Sequence, residues 1–132
     1  MPKDNPLIEA ALNARHQARA PYSNFKVGAA ILDDTKQITI GANVESASYG
    51  LSCCAERVAI CKALTEGLTD FSALAIASEG GVAPCGACRQ VIAEYAANAV
   101  ITLIDSNNPT LTKQTKIDEL LPSAFTSKNL FS

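Results

Sequence analysis

Two short segments of the chain, residues 51–61 and 83–91, place cysteines at the predicted start of a helix. The first is LSCCAERVAIC and the second is APCGACRQV, and a loop precedes each. A helix start presents unpaired N–H groups and about half a positive charge, which favours thiolate over thiol. A fold that brings these two helix starts together would point three thiolates at one metal ion, which constrains how the two helices can pack.

The pair Cys85-x-x-Cys88 has a spacing that occurs in metal chelates and in redox dithiols, and both residues could also be inert structural thiols. The chain has five cysteines, and its start, MPKDNPLIEA, does not resemble a signal peptide. We therefore expect a cytoplasmic location, where thiols stay reduced and disulfides are rare. In that setting clustered cysteines favour metal binding or catalysis.

Glu56 distinguishes a catalytic metal site from a structural one. A catalytic zinc site uses three protein ligands and keeps one position for water, and Cys85, Cys88 and one cysteine of the first segment make three. A carboxylate beside such an ion can take a proton from the bound water and return it to a substrate. Alone, Glu56 would more simply be a solvated carboxylate in a first helical turn. Cys-x-Glu followed by Pro-Cys-x-x-Cys, however, is the arrangement of zinc deaminases of nucleobases.

The same arrangement leaves one residue between the ligand and the glutamate, which makes Cys54 the third predicted ligand. Cys53 is then expected to be a small buried hydrophobic residue. Cys61 lies about 10 Å further along the helix, too far for the same ion, and is expected in the core. Three thiolates need a compensating charge, for which Arg57 is the first candidate and Arg89 the alternative.

Hydrophobic periodicity predicts an alternation of helices and strands. We predict a helix over residues 5–19, a hairpin over 26–44, and helices over 53–67 and 86–97. SALAIAS and VITLID are typical of buried strands, and KIDELLP indicates a short helix near the end. This order predicts a single α/β domain over residues 1–132, in which helices cover a sheet, and it leaves the order of the strands open.

Composition narrows the possible partners. The net charge is −2 and no basic block occurs, which argues against nucleic acid and against an anionic membrane surface. The sequence also lacks a run of about 18 apolar residues that could span a membrane. We therefore expect a small-molecule substrate and no nucleic-acid or membrane partner.

Taken in order, the motifs resemble those of the small cytidine deaminases, almost from end to end. The resemblance rests on APYSNFKVGAAI, GANVESASYGLSCCAERVAICKAL, PCGACRQVIAEY and ELLPSAF. It implies a three-layer α/β fold with a mixed five-stranded sheet, one zinc ion per subunit, and a homotetramer with sites completed across subunits. The implied reaction is hydrolytic deamination of cytidine and 2′-deoxycytidine in pyrimidine salvage.

Two other functions stay open beside this one. Blasticidin deaminases share the Cys-Ala-Glu and Pro-Cys-Gly-x-Cys-Arg-Gln segments, so the substrate could be a cytosine-nucleoside analogue such as blasticidin S. The cysteines could also form a structural zinc module without activity.

The resemblance further implies roles for individual residues. It implies that zinc is bound by Cys54, Cys85 and Cys88, that Glu56 carries protons, and that Arg57 compensates the thiolates. The implied substrate-binding residues are Phe25, Asn43, Glu45 and Ala55. Of these, Phe25 would form a wall of the base pocket, and Asn43 and Glu45 would hold the ribose hydroxyls. Two aromatic residues, Tyr49 and Phe125, are implied to make contacts between subunits near the site.

Overall fold

The structure is a computed structural model that describes residues 5–131. Its helices are α1 (Pro6–Ala14), α2 (Ala55–Thr65), α3 (Gly86–Tyr95), α4 (Ile117–Leu120) and α5 (Lys128–Phe131). Its strands are β1 (Gly28–Leu32), β2 (Ile38–Ala42), β3 (Ala73–Ser78), β4 (Val100–Asp105) and β5 (Thr112–Thr115). Within residues 5–131 no helix is long and apolar enough to cross a membrane.

The five strands form one mixed sheet in the order β2-β1-β3-β4-β5. Strands β3 and β4 are parallel, and the other three neighbouring pairs are antiparallel. A parallel pair needs a crossover connection, which α3 supplies between β3 and β4. The predicted α/β fold with a mixed five-stranded sheet is therefore confirmed.

Side chains alternate between the two faces of the sheet, which gives the fold three layers. On one face Ile31, Leu74 and Ile76 pack in a core cluster with residues of α2 and α3. On the other face the small residues Ala30 and Ala75 pack with residues of α1. The helices that carry the cysteines therefore lie together on the first face.

Gly41 in β2 lets α2 sit directly on the sheet. A Cβ at this position would lie 2.5 Å from the backbone N of Ala59 and 2.7 Å from the carbonyl oxygen of Ala55. Strand and helix thus touch backbone to backbone at the first turns of α2. This contact fixes the height of the helix start above the sheet, and Cys54 caps that start.

Two elements differ from the hydrophobic pattern. The pattern missed β5, because its sequence TKQT is polar and three of its four residues are exposed at the sheet edge. The first helix is shorter than predicted, since α1 ends at Ala14 and a 3₁₀ turn, Arg15–Gln17, follows. Neither difference changes the side of the sheet on which the cysteines lie.

Candidate active site

Three thiols meet where the starts of α2 and α3 approach each other. Cys54 is the N-cap residue of α2, Cys85 is the N-cap residue of α3, and Cys88 lies in the first turn of α3. Their Sγ atoms all lie within 4.8 Å of one another, with 3.6 Å between Cys54 and Cys85 and 3.3 Å between Cys85 and Cys88. Among residues 5–131, no fourth acidic or imidazole group joins these three sulfur donors. Such a cluster fits a zinc site in which the fourth coordination position is open.

The pKa values of two of the thiols shift in opposite directions. Hydrogen bonds from Cys88 and from the Arg57 guanidinium lower the pKa of Cys54 to about 5, although burial opposes them. The pKa of Cys88 is raised, because its thiol donates to the Cys54 sulfur and is itself buried. Negative charge therefore concentrates at Cys54, and metal binding would release the protons that the cluster still holds.

Arg57, and not Arg89, lies against the sulfur cluster. The Nη2 atom of Arg57 is 3.6 Å from the Sγ of Cys54, and this contact raises the pKa of the guanidinium. Arg89 instead donates to two backbone carbonyls, those of Pro84 at 2.8 Å and Leu120 at 2.7 Å. Arg89 thus ties the α3 start to the end of α4, and Arg57 is placed to offset thiolate charge.

Glu56 follows Cys54 directly and is almost fully enclosed, with 4% of its surface exposed. Burial raises the pKa of its carboxyl, and the negative charge at Cys54 adds to the rise. The hydrogen bond from the backbone N–H of Glu56, hydrogen bonding with Cys88 and the charge of Arg57 lower the pKa, in that order, but do not outweigh burial. A buried carboxylate with a raised pKa beside a metal-ligand cluster is suited to both accepting and donating a proton.

A cavity of about 350 Å³ opens onto this cluster, a size typical of small-molecule sites. It brings together most of the residues that the sequence singled out, namely Phe25, Asn43, Glu45, Cys54, Ala55, Glu56 and Cys85. The cavity is also lined by residues that were not predicted as site residues, among them Ser23, Ser52, Val82 and Pro84. Among the described residues that line the cavity, none is Lys, Arg or His.

Asn43 joins the end of β2 to the segment that carries Phe25. Its Oδ1 accepts a hydrogen bond from the N–H of Val27 at 2.9 Å, and its Nδ2 donates to the carbonyl of Phe25 at 2.9 Å. The amide therefore holds the backbone on both sides of Lys26, and it keeps one further donor and one further acceptor position.

Glu45, two residues after Asn43, is hydrogen-bonded to the turn that contains Tyr22 and Ser23. Its Oε1 accepts from the backbone N–H groups of Tyr22 and Ser23, each at 3.1 Å, and its Oε2 accepts from the Ser23 hydroxyl. The Ser23 hydroxyl and N–H, followed by the Tyr22 N–H, hold the pKa of Glu45 below its ordinary value. The carboxylate is therefore ionised and oriented at neutral pH.

Tyr49 and Phe125 lie outside the cavity that reaches the thiols. Tyr49 is 78% exposed and borders a second cavity of about 240 Å³, whose walls also include Ser23, Glu45 and Ser52. Phe125 is 60% exposed, and its carbonyl accepts a hydrogen bond from Gln90 at 2.6 Å. Both aromatic side chains are thus surface groups of the single chain.

The expected burial of two cysteines was wrong. Cys53 is exposed and lines the cavity, and its backbone pairs with Val44 in an isolated antiparallel bridge. Cys61 is also exposed. The buried face of α2 runs through Ala59, Ile60 and Ala63, and Cys61 falls beside it at helical spacing.

Comparisons with known proteins agree with this geometry. The family model for the cytidine and deoxycytidylate deaminase zinc-binding region matches residues 1–104. A cytidine deaminase of Sporosarcina psychrophila is 44% identical over 126 residues, which cover 94% of this chain and 92% of that protein. A crystal structure of cytidine deaminase from Burkholderia pseudomallei is 47% identical with a TM-score of 0.85, covering 90% of this chain and 96% of that one.

One relative has a different named substrate. A blasticidin-S deaminase of Bacillus cereus is 33% identical over 110 residues, which cover 76% of this chain and 76% of that protein. This similarity is weaker and shorter than that to the Sporosarcina cytidine deaminase.

Proposed function

The chain belongs to the cytidine and deoxycytidylate deaminase family, and we propose that it hydrolyses the 4-amino group of cytidine and 2′-deoxycytidine. Each turnover consumes one water and yields uridine or 2′-deoxyuridine and one ammonia. One observation carries the proposal: a nucleoside-sized cavity is lined by the buried carboxylate of Glu56 and by Cys54 and Cys85, two of the three clustered thiols.

We assign one zinc ion to Cys54, Cys85 and Cys88. Bound there, zinc supplies a Lewis acid that makes water nucleophilic near neutral pH. Three thiolates exceed the charge of Zn²⁺ by one, and a more anionic site polarises a substrate poorly. Arg57 offsets this excess through its contact with the Cys54 sulfur.

Glu56 is the proposed proton carrier. Its carboxylate takes a proton from the water that adds at C4 of the pyrimidine, and it delivers that proton to N3. It then helps to protonate the departing amine. Each transfer needs a group whose pKa is closer to neutrality than that of an ordinary glutamate, and the burial of Glu56 supports this role.

The remaining cavity residues are proposed to bind the nucleoside. The ring of Phe25 suits the flat pyrimidine, Asn43 and Glu45 suit the ribose hydroxyls, and Ala55 lies beside the base at the start of α2. A free nucleoside fits better than a nucleotide, because the lining side chains supply two carboxylates and no cation for a phosphate.

We also propose that the chain forms one domain and assembles as a homotetramer in the cytoplasm, where it serves pyrimidine salvage. Five free cysteines favour a reducing compartment. Tyr49 and Phe125 support assembly, since large exposed aromatic groups often lie in subunit interfaces. Light scattering tests this proposal, and a monomer that turns over cytidine at full rate would contradict it.

The experiment that tests the function is a parallel assay of ammonia release and absorbance with cytidine, 2′-deoxycytidine, cytosine and blasticidin S. We expect turnover of the two nucleosides. Efficient turnover of blasticidin S alone would select the antibiotic as substrate. Zinc-loaded protein that releases no ammonia from any of the four would indicate a structural zinc module.

A further inference from the structure

Among the hydrogen bonds of residues 5–131, Ser23 is the side chain that bonds to both Glu45 and Phe25, two residues of the proposed nucleoside site. Its hydroxyl donates to Oε2 of Glu45, and the same Oγ accepts from the N–H of Phe25 at 3.0 Å. Ser23 also lines the cavity. One hydroxyl thus couples the carboxylate proposed for the ribose to the residue proposed for the base.

The hydrogen bonds of Glu45 show why this hydroxyl matters. An ionised carboxylate offers about four acceptor positions. The N–H groups of Tyr22 and Ser23 take two of them on Oε1, and the Ser23 hydroxyl takes one on Oε2. One position on Oε2 is left for an outside donor, and the Ser23 hydroxyl determines its direction. Without that hydroxyl the carboxylate would still be tethered through Oε1, but its plane could turn.

We propose that Ser23 is a positioning residue for sugar recognition: its hydroxyl holds Oε2 of Glu45 so that the free acceptor position meets a ribose hydroxyl of the substrate. This inference rests on the proposed function, because it assumes that Glu45 binds the sugar. Ser23 acts through Glu45, so its removal should weaken binding of the sugar and leave the chemistry at C4 largely unchanged.

A purely structural role for Ser23 gives different expectations. The bond from its Oγ to the N–H of Phe25 also stabilises a turn in which Asn24 has a positive φ of 57°. If that were the whole role, Ser23→Ala would lower stability and would impair all substrates to a similar extent. Positioning of Glu45 instead predicts an effect that depends on the sugar hydroxyls.

The test compares cytidine with 2′,3′-dideoxycytidine, which lacks both vicinal hydroxyls, in the zinc-loaded wild type and in Ser23→Ala. We expect kcat/KM for cytidine to fall about tenfold or more, mainly through KM, as for loss of a hydrogen bond to a charged group. For dideoxycytidine the fall should be less than about threefold. The difference between the two ratios measures the coupling between Ser23 and the sugar.

Two variants serve as controls for Ser23→Ala. Ser23→Thr keeps the hydroxyl and should restore the discrimination between the two substrates. Ser72→Ala removes the hydroxyl of an exposed serine that directly precedes β3, and it should leave both substrates unchanged. Thermal midpoint and zinc content are measured for every variant.

The same series separates failure of this inference from failure of the proposed function. If the wild type releases no ammonia from cytidine, the proposed function is wrong. If the wild type discriminates between the substrates and Glu45→Gln abolishes the discrimination, but Ser23→Ala does not weaken it, the role of Ser23 is overturned. Equal losses on both substrates with a lower thermal midpoint would likewise overturn it. Wild-type indifference to the hydroxyls would refute sugar binding by Glu45 and, with it, the role of Ser23.

Discussion

Gly41→Ala tests whether the backbone contact between β2 and α2 sets the position of the metal ligands. The added Cβ would lie 2.5 Å from the N atom of Ala59, which is 0.5 Å inside the 3.0 Å limit below which real Cβ contacts are essentially absent. It would also lie 2.7 Å from the carbonyl oxygen of Ala55. Both partners are backbone atoms of α2, so no side-chain rotation can relieve the contact and the helix must move away from the sheet.

The expected cost in stability follows from two opposing effects. Overpacking of a filled interior costs about 1–3 kcal/mol, and a contact between two backbone segments belongs at the upper end of that range. Replacement of glycine also restricts the unfolded chain, which returns about 0.4–1 kcal/mol. We therefore expect Gly41→Ala to lower the free energy of unfolding by about 2 kcal/mol or more.

The same displacement should reach the metal site. Cys54 caps α2, whereas Cys85 and Cys88 belong to α3, so movement of α2 alone separates the thiols. Loss of groups that orient metal ligands typically lowers metal affinity about 10- to 100-fold. We expect a loss of zinc affinity in this range for Gly41→Ala.

The assays are urea unfolding of the metal-free protein at fixed protein concentration and zinc competition with a chromogenic chelator. Gly50→Ala is the matched control, because a Cβ at Gly50 meets no heavy atom within 4 Å. It should change stability by no more than about 0.5 kcal/mol. If Gly41→Ala were as stable as this control, or were destabilised with wild-type zinc affinity, the contact would not set the ligand geometry.

Three further predictions concern the reacting groups. Cys54→Ala should abolish zinc binding while Cys53→Ala retains one zinc per chain by metal analysis; an empty site in Cys53→Ala would show that the ligand register is wrong. Arg57→Ala should lower turnover or metal retention by about 1.5–3 kcal/mol, and unchanged kinetics there together with a loss in Arg89→Ala would transfer the charge compensation to Arg89. Glu56→Gln should keep zinc and the fold but lose about 10²–10⁴ or more in cytidine turnover, and retention of a tenth of the wild-type rate would mean that another group carries the proton.

The sequence predicted those parts of the fold that have a strong local signal. Strands β3 and β4 are almost wholly apolar runs, and α3 starts at the predicted Gly86, so their periodicity was sufficient. The edge strand β5 carries no such signal, because its pairing with β4 depends on backbone hydrogen bonds and not on buried side chains. The family resemblance supplied the fifth strand that the pattern missed.

The burial errors at Cys53 and Cys61 have a related cause. Cysteine is commonly buried as a residue type, but the burial of a given cysteine depends on its position on its helix or strand. Cys61 lies beside the buried face of α2, and Cys53 lies in a bridge ahead of that helix. The helical spacing of Ala59, Ile60 and Ala63 could have placed Cys61 correctly from the sequence alone.

The two halves of the cavity are encoded differently. The thiols and Glu56 come from two helix starts, where short spacings and capping positions are visible in the sequence. The half proposed to bind the nucleoside depends on hydrogen bonds between distant segments: Asn43 binds the backbone of Phe25 and Val27, and Glu45 binds the turn at Ser23. Such contacts produce no periodic pattern in the sequence, because each partner taken alone is an ordinary turn residue.

This difference bears on how substrate preference can vary within the family. In the proposed mechanism the metal half tolerates little change, because three sulfur atoms would bind one ion and one carboxylate would act on one substrate atom. The half proposed to bind the nucleoside is held by hydrogen bonds between loop segments. A substitution at Ser23 would alter the direction of the Glu45 carboxylate, and one at Asn43 would alter the position of Phe25. Neither substitution would move a thiol. Relatives with different named substrates, such as a cytidine deaminase of Sporosarcina psychrophila and a blasticidin-S deaminase of Bacillus cereus, are expected for a fold that separates the two halves in this way.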